Sequence, residues 1–443
     1  MCMRAPSLAS RSSSVATLLL ALAACRLVPN PAYDGAAASS DDGAPTSSGN
    51  GSTVTGITES SGSSGTDTSS SSSNGGASSG STGDPVAQCY DGVVVPGELC
   101  YEYRPITAGF GEDAIAIATA DFDGDGAQDM LSGNYAKFEI AYGDGNGGLR
   151  FLLTLVPSAM GISAITDVAA IDLDDDGVPD IVAASPDADT IDVVLADGEG
   201  GFDPPVPYTV SGRPHRMAVG DVDDDGAIDL AVLCDVSGEL TMLWGTGDGG
   251  FELGTPVPAG TEPGDVSIGD IDDDDLPDLA IAAQDALIPF VNVGNRELVA
   301  LDAFELATPI TVMMSDLDDD GYTDMFLSTI AQENFVLFGV AGGGFVEEAT
   351  WWNWTGRIAF AAAPGDFNSD GITDVAWGEG YLGNGGMTFM FGLGDRSFEA
   401  MLNPLYTFPQ DLAVADFNGD GVPDVALANA GSVLAMGLMV SVP

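Results

Sequence analysis

From Tyr101 onward the chain alternates short apolar runs with clusters of glycine and aspartate. The runs recur in a fixed order. A run rich in small residues, such as AIAIATA, DVAAI, MAVG, VSIG or DLAVA, leads into an acidic cluster. A second, such as MLSG, IVAAS, LAVLC, LAIAA or MFLST, leaves it. A third, as in IDVVLADGEGGF and ELTMLWGTGDGGF, ends in a glycine turn and an aromatic residue or leucine, and a fourth leads to the next period. Each run has strand length and is bounded by turn residues, and none offers a helical period. The acidic clusters begin at Asp121, Asp172, Asp221, Asp270, Asp316, Asp366 and Asp416, a spacing of 46 to 51 residues. A fixed period of this length marks a propeller or a solenoid. Four short strands in each of seven periods describe an all-β fold, a seven-bladed β-propeller with four-stranded antiparallel blades.

The last period decides between ring and solenoid. After Asp424 the remaining VALANAGSVLAMGLMVSVP holds two strands, so the last blade lacks its outer one. Tyr101 to Asp121 aligns with Phe251 to Asp270, and Tyr101 to Thr107 is therefore expected to complete that blade and close the ring.

Composition narrows the partners. With 68 acidic residues against 11 Lys plus Arg, the formal charge is −57. Nucleic acid, which needs a basic surface, is excluded on this balance, and anionic headgroups are disfavoured. One lysine, Lys137, and one histidine, His215, leave chemistry that needs several basic groups poorly supplied.

The first 100 residues read differently. Arg4 and Arg11 precede an apolar run, Val15 to Ala24, too short to span a bilayer. The run ends in LAAC, which resembles a bacterial lipobox, so residues 1–24 are expected to be a signal peptide and Cys25 the lipidated residue. An ordinary secretory signal is the alternative; either way the chain is exported. Residues 25–88 form a Ser/Gly/Thr-rich linker that cannot bury surface, a disordered tether of roughly 40 Å holding the folded part clear of a membrane. O-glycosylation is another reason for its Ser and Thr. Residues 89–100, CYDGVVVPGELC, carry a close cysteine pair in an exported chain, so Cys89 and Cys100 are read as a disulfide. Their spacing resembles a Cys-rich repeat of secreted myxobacterial-type proteins. Cys234 has no partner left and is expected to be a buried thiol. Residues 101–443 are the propeller.

The acidic clusters share the pattern D-x-[DN]-x-D-G-x-x-D. Coiling the loop brings positions 1, 3, 5 and 9 to one point, glycine at position 6 permits the turn, and position 7 can offer a carbonyl. Hard oxygen donors in this number suit Ca²⁺, not Zn²⁺ or the tighter octahedron of Mg²⁺. An EF-hand needs a Glu at position 12 and flanking helices; here that position is Ser132, Ala183 and Val232 in the first three copies. The pattern resembles instead the FG-GAP repeat of integrin α-chain propellers and the related bacterial VCBS-type repeats. That resemblance implies a calcium in the turn between the first and second strands of each blade, all on one face, up to seven in number. Carried over, the ligands of the first loop are Asp121, Asp123, Asp125 and Asp129 with the carbonyl of Ala127. Those of the second are Asp172, Asp174, Asp176, Val178 and Asp180, and of the third Asp221, Asp223, Asp225, Ala227 and Asp229. The fourth has Asp270, Asp272, Asp274, Leu276 and Asp278, and the fifth Asp316, Asp318, Asp320, Tyr322 and Asp324. The sixth has Asp366, Asn368, Asp370, Ile372 and Asp374, and the seventh Asp416, Asn418, Asp420, Val422 and Asp424. In the fourth loop Asp275 replaces the glycine, so that site is expected to be the weakest.

The opposite face is expected to carry the variable loops. Arg213, His215 and Arg216 lie in one, Trp352, Trp354 and Arg357 in another, and Tyr381 in a third. Aromatic planes beside a guanidinium suit a sugar ring or an acidic glycan; the competing reading is that Trp351 and Trp352 pack the outer strand of their blade and that His215 is incidental. The expected function is a monomeric, surface-anchored, calcium-binding adhesion module for an extracellular protein or glycan, at a bacterial outer membrane or cell surface and without chemistry of its own. A secreted polysaccharide lyase and a purely structural envelope protein are the alternatives. A lyase needs a positioned acid and base, and no His, Lys and carboxylate set stands outside the acidic loops.

Overall fold

In a computed structural model of the chain, residues 101–106, 114–134, 138–155, 164–306, 308–346, 358–381, 384–394, 396–403, 409–429 and 436–441 are described. The expected signal peptide, Cys25, the linker, Cys89 and Cys100 lie outside them, as do Trp352, Trp354 and Arg357. The described residues hold strands and turns, no helix, in seven antiparallel sheets.

Each sheet is one blade. The innermost strands are Ala116–Ala120, Asp167–Ile171, Pro214–Gly220, Asp265–Gly269, Pro309–Ser315, Ala359–Gly365 and Pro409–Ala415. Each is followed by the acidic loop and a second strand that pairs back on it, for example Ala120 opposite Asp129 and Gly220 opposite Asp229. A third and a fourth strand complete the blade. In blades 3 and 4 the outer edge is split into two short pieces, both paired with the third strand. The innermost strands neighbour one another in sequence order, and that of blade 7 lies against that of blade 1, so the ring is closed.

Closure is made as the sequence predicts. Tyr101–Ile106 pairs along its whole length with Met436–Ser441 and becomes the outer strand of blade 7. Tyr101 stacks on Phe389 and donates its hydroxyl hydrogen to the Pro423 carbonyl at 2.5 Å, which ties the added strand to its neighbours.

The blades stick together because their middle strands are apolar on both faces. Alternate side chains leave opposite faces of a strand. In the second strand of blade 2, Ile181 and Ala183 pack towards blade 1, while Val182 and Ala184 pack towards blade 3. The same division yields seven buried clusters, one between each pair of consecutive blades. Large side chains in these clusters, such as Phe138, Phe290 and Phe338, are fully buried, each stabilising by roughly 1.5–3 kcal/mol. Cys234 belongs to one of them: its thiol is unpaired and burial pushes its pKa up to about 12. A cysteine held so far from thiolate acts as a small apolar residue.

Candidate metal centres

Seven loops join the first and second strands of the blades, and they are built alike. The position-1 carboxylate accepts two main-chain N–H groups from its own loop, and three in the fourth and seventh. Asp125 N and Gly126 N reach Asp121 at 3.1 and 2.8 Å, and Asp320 N and Gly321 N reach Asp316 at 3.2 and 2.8 Å. The position-5 carboxylate accepts the position-7 N–H, as Val178 to Asp176 at 2.8 Å and Ile372 to Asp370 at 2.9 Å. These bonds coil the chain around its own acids.

The coil needs left-handed backbone twice. Position 6 has φ near +88° wherever it is glycine, and Asp275 stands there at +69°. Position 4 is left-handed as well, at Gly124, Asp175, Asp224, Asp273, Asp319, Ser369 and Gly419. Asp tolerates this region better than most side chains, which accounts for its frequency at position 4.

Position 9 does a second job that the motif does not announce. Asp129, Asp180, Asp229, Asp278, Asp324, Asp374 and Asp424 are all buried. In each, one oxygen accepts the N–H of position 2 and the other an N–H at the end of the third strand. Asp129 takes Phe122 N at 2.8 Å and Gly143 N at 2.7 Å; Asp324 takes Leu317 N and Gly339 N, both at 2.7 Å. The carboxylate thus clamps the loop to the far side of the blade. The readable signal was position 2, which is apolar in every copy and buried as Phe122, Leu173, Val222, Ile271, Leu317, Phe367 and Phe417. Glycine ends the third strand in four blades because a Cβ on Gly143 would meet the Gln128 carbonyl at 2.2 Å.

Burial and crowding disfavour charge at these acids. Burial pushes Asp129 and Asp424 up to about 6 and Asp278, Asp324 and Asp374 up to about 7, with neighbouring loop carboxylates adding to the shift. Asp180 and Asp229 are raised for the same reason. Asp272 is held up at about 6 by burial and by Asp274 and Asp270. A divalent cation at the centre would turn that repulsion into attraction.

The donor set fits such an ion. Carboxylate oxygens of Asp121, Asp123 and Asp129 lie within 4.8 Å of one another, as do those of Asp172, Asp174 and Asp180 and of Asp270, Asp272 and Asp278. In the third and fifth loops the convergent set is positions 1, 3 and 5: Asp221, Asp223 and Asp225, and Asp316, Asp318 and Asp320. The Oδ1 atoms of Asp174, Asp223 and Asp272, all at position 3, are buried with no hydrogen-bond partner. Buried carboxylate oxygens are normally satisfied, so these three are what a cation would fill. Asn368 and Asn418 keep an oxygen at position 3 and turn the amide nitrogen to Asp370 and Asp420.

FG-GAP-like repeats match residues 121–183, 172–232, 221–281, 316–377 and 366–427, more than half of the chain. The chain belongs to the FG-GAP-like repeat family. No curated protein matches it. Among solved structures, BBS1N in complex with ARL6DN, soaked with lead, is similar at 13% identity and a TM-score of 0.54, over 78% of this chain and 96% of that one. A lectin from Agrocybe aegerita that recognises non-reducing terminal N-acetylglucosamine is similar at 14% identity and a TM-score of 0.51, over 78% and 87%. At these identities the likeness is one of fold.

The FG-GAP-like loops of this chain differ in what covers them. The turn between third and outer strands of one blade sits on the acidic loop of the blade before. Gly147 N donates to Phe417 O at 2.9 Å, Gly249 N to Leu173 O at 3.1 Å and Gly344 N to Ile271 O at 2.9 Å. Over the first loop a cavity of about 670 Å³ opens, lined by Asp121, Asp123, Tyr142, Arg150 and Gly200 among others. Arginines meet three loops: Arg150 reaches Asp125 at 2.5 Å, Arg396 reaches Asp318 at 2.6 Å and Asp320 at 2.8 Å, and Arg296 pairs with Asp223 and, at 3.2 Å, with Asp225.

The residues expected on the opposite face are divided. Arg213 lies in an exposed turn at φ +64°, its N–H bound to Asp189. His215 is half-buried against the Leu233 carbonyl and lines a groove with Asp235, Thr261 and Glu262; burial and Arg216 lower its pKa, keeping it neutral. Arg216 turns inward on the innermost strand, 4.0 Å from Asp167. Tyr381 ends the second strand of blade 6.

Proposed function

We propose that this chain is a calcium-stabilised propeller that binds a protein or glycan outside the cell, tethered by a lipid on Cys25 and without chemistry of its own. The orphaned, buried Oδ1 atoms of Asp174, Asp223 and Asp272 carry the calcium reading. Positions 1, 3, 5 and 9 would supply side-chain oxygens, and the position-7 carbonyls of Ala127, Val178, Ala227, Leu276, Tyr322, Ile372 and Val422 would join them. When bound, the ion neutralises the crowded acids and fixes the turn between the two inner strands of a blade. The position-1 carboxylate orders the loop through its own N–H groups, and the position-9 carboxylate ties it to the third strand. At free calcium about 100-fold above the dissociation constant, each site would stabilise by roughly 2.7 kcal/mol.

The binding reading rests on architecture. One face is occupied by near-identical loops, while the other carries loops of differing length and chemistry, including the groove beside His215. The BBS1N structure holds a protein partner and the Agrocybe aegerita lectin recognises a sugar, so both ligand classes are met on similar folds.

Thermal unfolding with and without chelator tests the metal: a melting temperature indifferent to calcium removes it. A glycan array and a pull-down on the calcium-loaded chain, each followed by a product assay on any hit, test the rest. Binding without turnover supports a binding module, turnover replaces it with an enzyme, and silence in both leaves a structural envelope role.

A further inference from the structure

The turn between third and outer strands has one position that separates the blades. Four residues beyond the clamp partner of the position-9 aspartate stand Gly147, Gly200, Gly249 and Gly343 in blades 1, 2, 3 and 5, each with positive φ. In blades 4 and 6 the same position is Arg296 and Arg396, at φ +62° and +64°. An arginine in left-handed backbone is strained where glycine is not, and such strain persists where the side chain compensates for it.

Both side chains do the same thing. Each crosses to the preceding blade and lies over an aromatic ring there, Arg296 over Trp244 at 5.4 Å and Arg396 over Phe338 at 5.3 Å. Each then meets the position-3 and position-5 carboxylates of that blade's acidic loop, Asp223 with Asp225 and Asp318 with Asp320. The Asp223 and Asp318 side chains are nearly buried, at 7% and 4% exposure, while each guanidinium side chain stays about one-third exposed. A guanidinium keeps its charge at any physiological pH.

We propose that Arg296 and Arg396 are built-in cations that compete with calcium at the third and fifth loops. They set the third and fifth loops apart from the second, fourth and seventh; at the first loop Arg150, from within blade 1, reaches the same two positions, Asp123 at 3.2 Å and Asp125 at 2.5 Å. In the second, fourth and seventh, a main-chain N–H of the next blade covers the loop and brings no full charge. In the third and fifth, a guanidinium already neutralises two ligands and repels a second cation. These two loops therefore take calcium after the second and seventh and lose it before them, and when they are empty the arginine bridge still pins blade 4 to blade 3 and blade 6 to blade 5. The ring stays shut at low calcium through protein cations where the other loops depend on the metal. This inference rests on the calcium reading above.

The test uses the intact chain, with Ca²⁺ alone as the probe, followed by equilibrium dialysis and native mass spectrometry. Wild type, Arg296→Met, Arg396→Met and the double variant are compared. Each single substitution is expected to tighten one ion by about tenfold, the size expected of a like charge removed from a few ångströms away, and the double variant two. In chelator the same substitutions lower the melting temperature; in saturating calcium that loss disappears, which also shows that the variants fold. Arg296→Lys keeps the charge without the fork and is expected to fall between wild type and Arg296→Met. Unchanged or weakened calcium binding in the Met variants overturns the competition while leaving the calcium reading intact. A wild-type chain that binds no calcium overturns that reading itself.

Discussion

The Asp411 carboxylate, on the innermost strand of the last blade, accepts the N–H of Ile117, on the innermost strand of the first, at 3.0 Å. The same bond recurs from Asp167 to Met217 N at 2.7 Å and from Asp265 to Val312 N at 3.0 Å. All three aspartates stand five residues before an acidic loop, and their second oxygen accepts the N–H of the following residue. They are staples between neighbouring blades, and the Asp411 staple spans the seam where the ring closes. Asp411→Ala leaves the Ile117 N–H unsatisfied and should cost about 1–3 kcal/mol. Chemical denaturation would register it as a lower midpoint at unchanged slope; an unchanged midpoint would mean that the bond contributes nothing to closure.

The other half of that seam is the strand supplied by the front of the propeller. Starting the chain after Ile106 would strip blade 7 of its outer strand and bare the edge of Met436–Ser441. An unpaired edge of this kind invites pairing between molecules. The truncated chain should melt lower and elute as larger species in size-exclusion chromatography. Tyr101→Phe removes the hydroxyl contacts to the Pro423 and Phe367 carbonyls, at 2.5 and 3.3 Å, and should cost about 1 kcal/mol without aggregation.

Much of this was legible because each feature repeats. A seven-fold period of acidic loops and small-residue strands fixes the blade count, and the two-strand remainder after Asp424 pointed to Tyr101–Ile106 as the closing strand. What repetition hid was division of labour within the motif. Position 9 reads as one more ligand, yet its two oxygens each hold an N–H from opposite sides of the blade. The roles of Arg216, Arg296 and Arg396 were not legible at all. Each acts across a blade boundary, on residues about 50 to 195 positions away, and nothing local to an arginine says which neighbour it will face.

The double role of position 9 can be separated. Asp324→Asn keeps one acceptor, loses the other and removes the charge. In chelator the loss should be about 1–3 kcal/mol, the cost of a buried N–H left without a partner. In saturating calcium the variant should fall further behind wild type, because one ion is also weakened. Equal losses in both conditions would show that Asp324 is a clamp and not a ligand.

In the fourth loop, Asp275 occupies at φ +69° the place that glycine fills near +88° elsewhere. Asp275→Gly relieves that strain but frees the unfolded chain, so the net gain in chelator should not exceed about 1 kcal/mol. The clearer readout is calcium: removing a carboxylate that is outside the ligand set while restoring the turn should sharpen binding at that loop. A loss of calcium affinity in isothermal titration would instead make Asp275 a ligand.

The ring interior supplies the pH dependence. Arg216 faces Asp167, Asp265 and Asp411 and, among the described residues, is the one cation acting on all three. Burial pushes Asp167 up to about 7 and Asp265 up to about 6, and raises Asp411; Arg216 opposes each shift. A carboxyl whose folded value lies above its ordinary one near 3.8 stabilises the fold most when protonated. Between about pH 4 and 7 the folded chain keeps protons that the unfolded chain has released, so stability falls as pH rises through that window. Arg216→Met leaves the three acids without their counter-charge, raises their values further and should steepen the fall. Unfolding free energies of wild type and Arg216→Met should therefore lie closest near pH 4.5 and diverge towards pH 7.5, by up to about 3 kcal/mol for a buried charge left unpaired. Taking the difference between the two proteins at each pH cancels the shared titration of the acidic loops, and parallel curves would show that Arg216 does not hold these acids down.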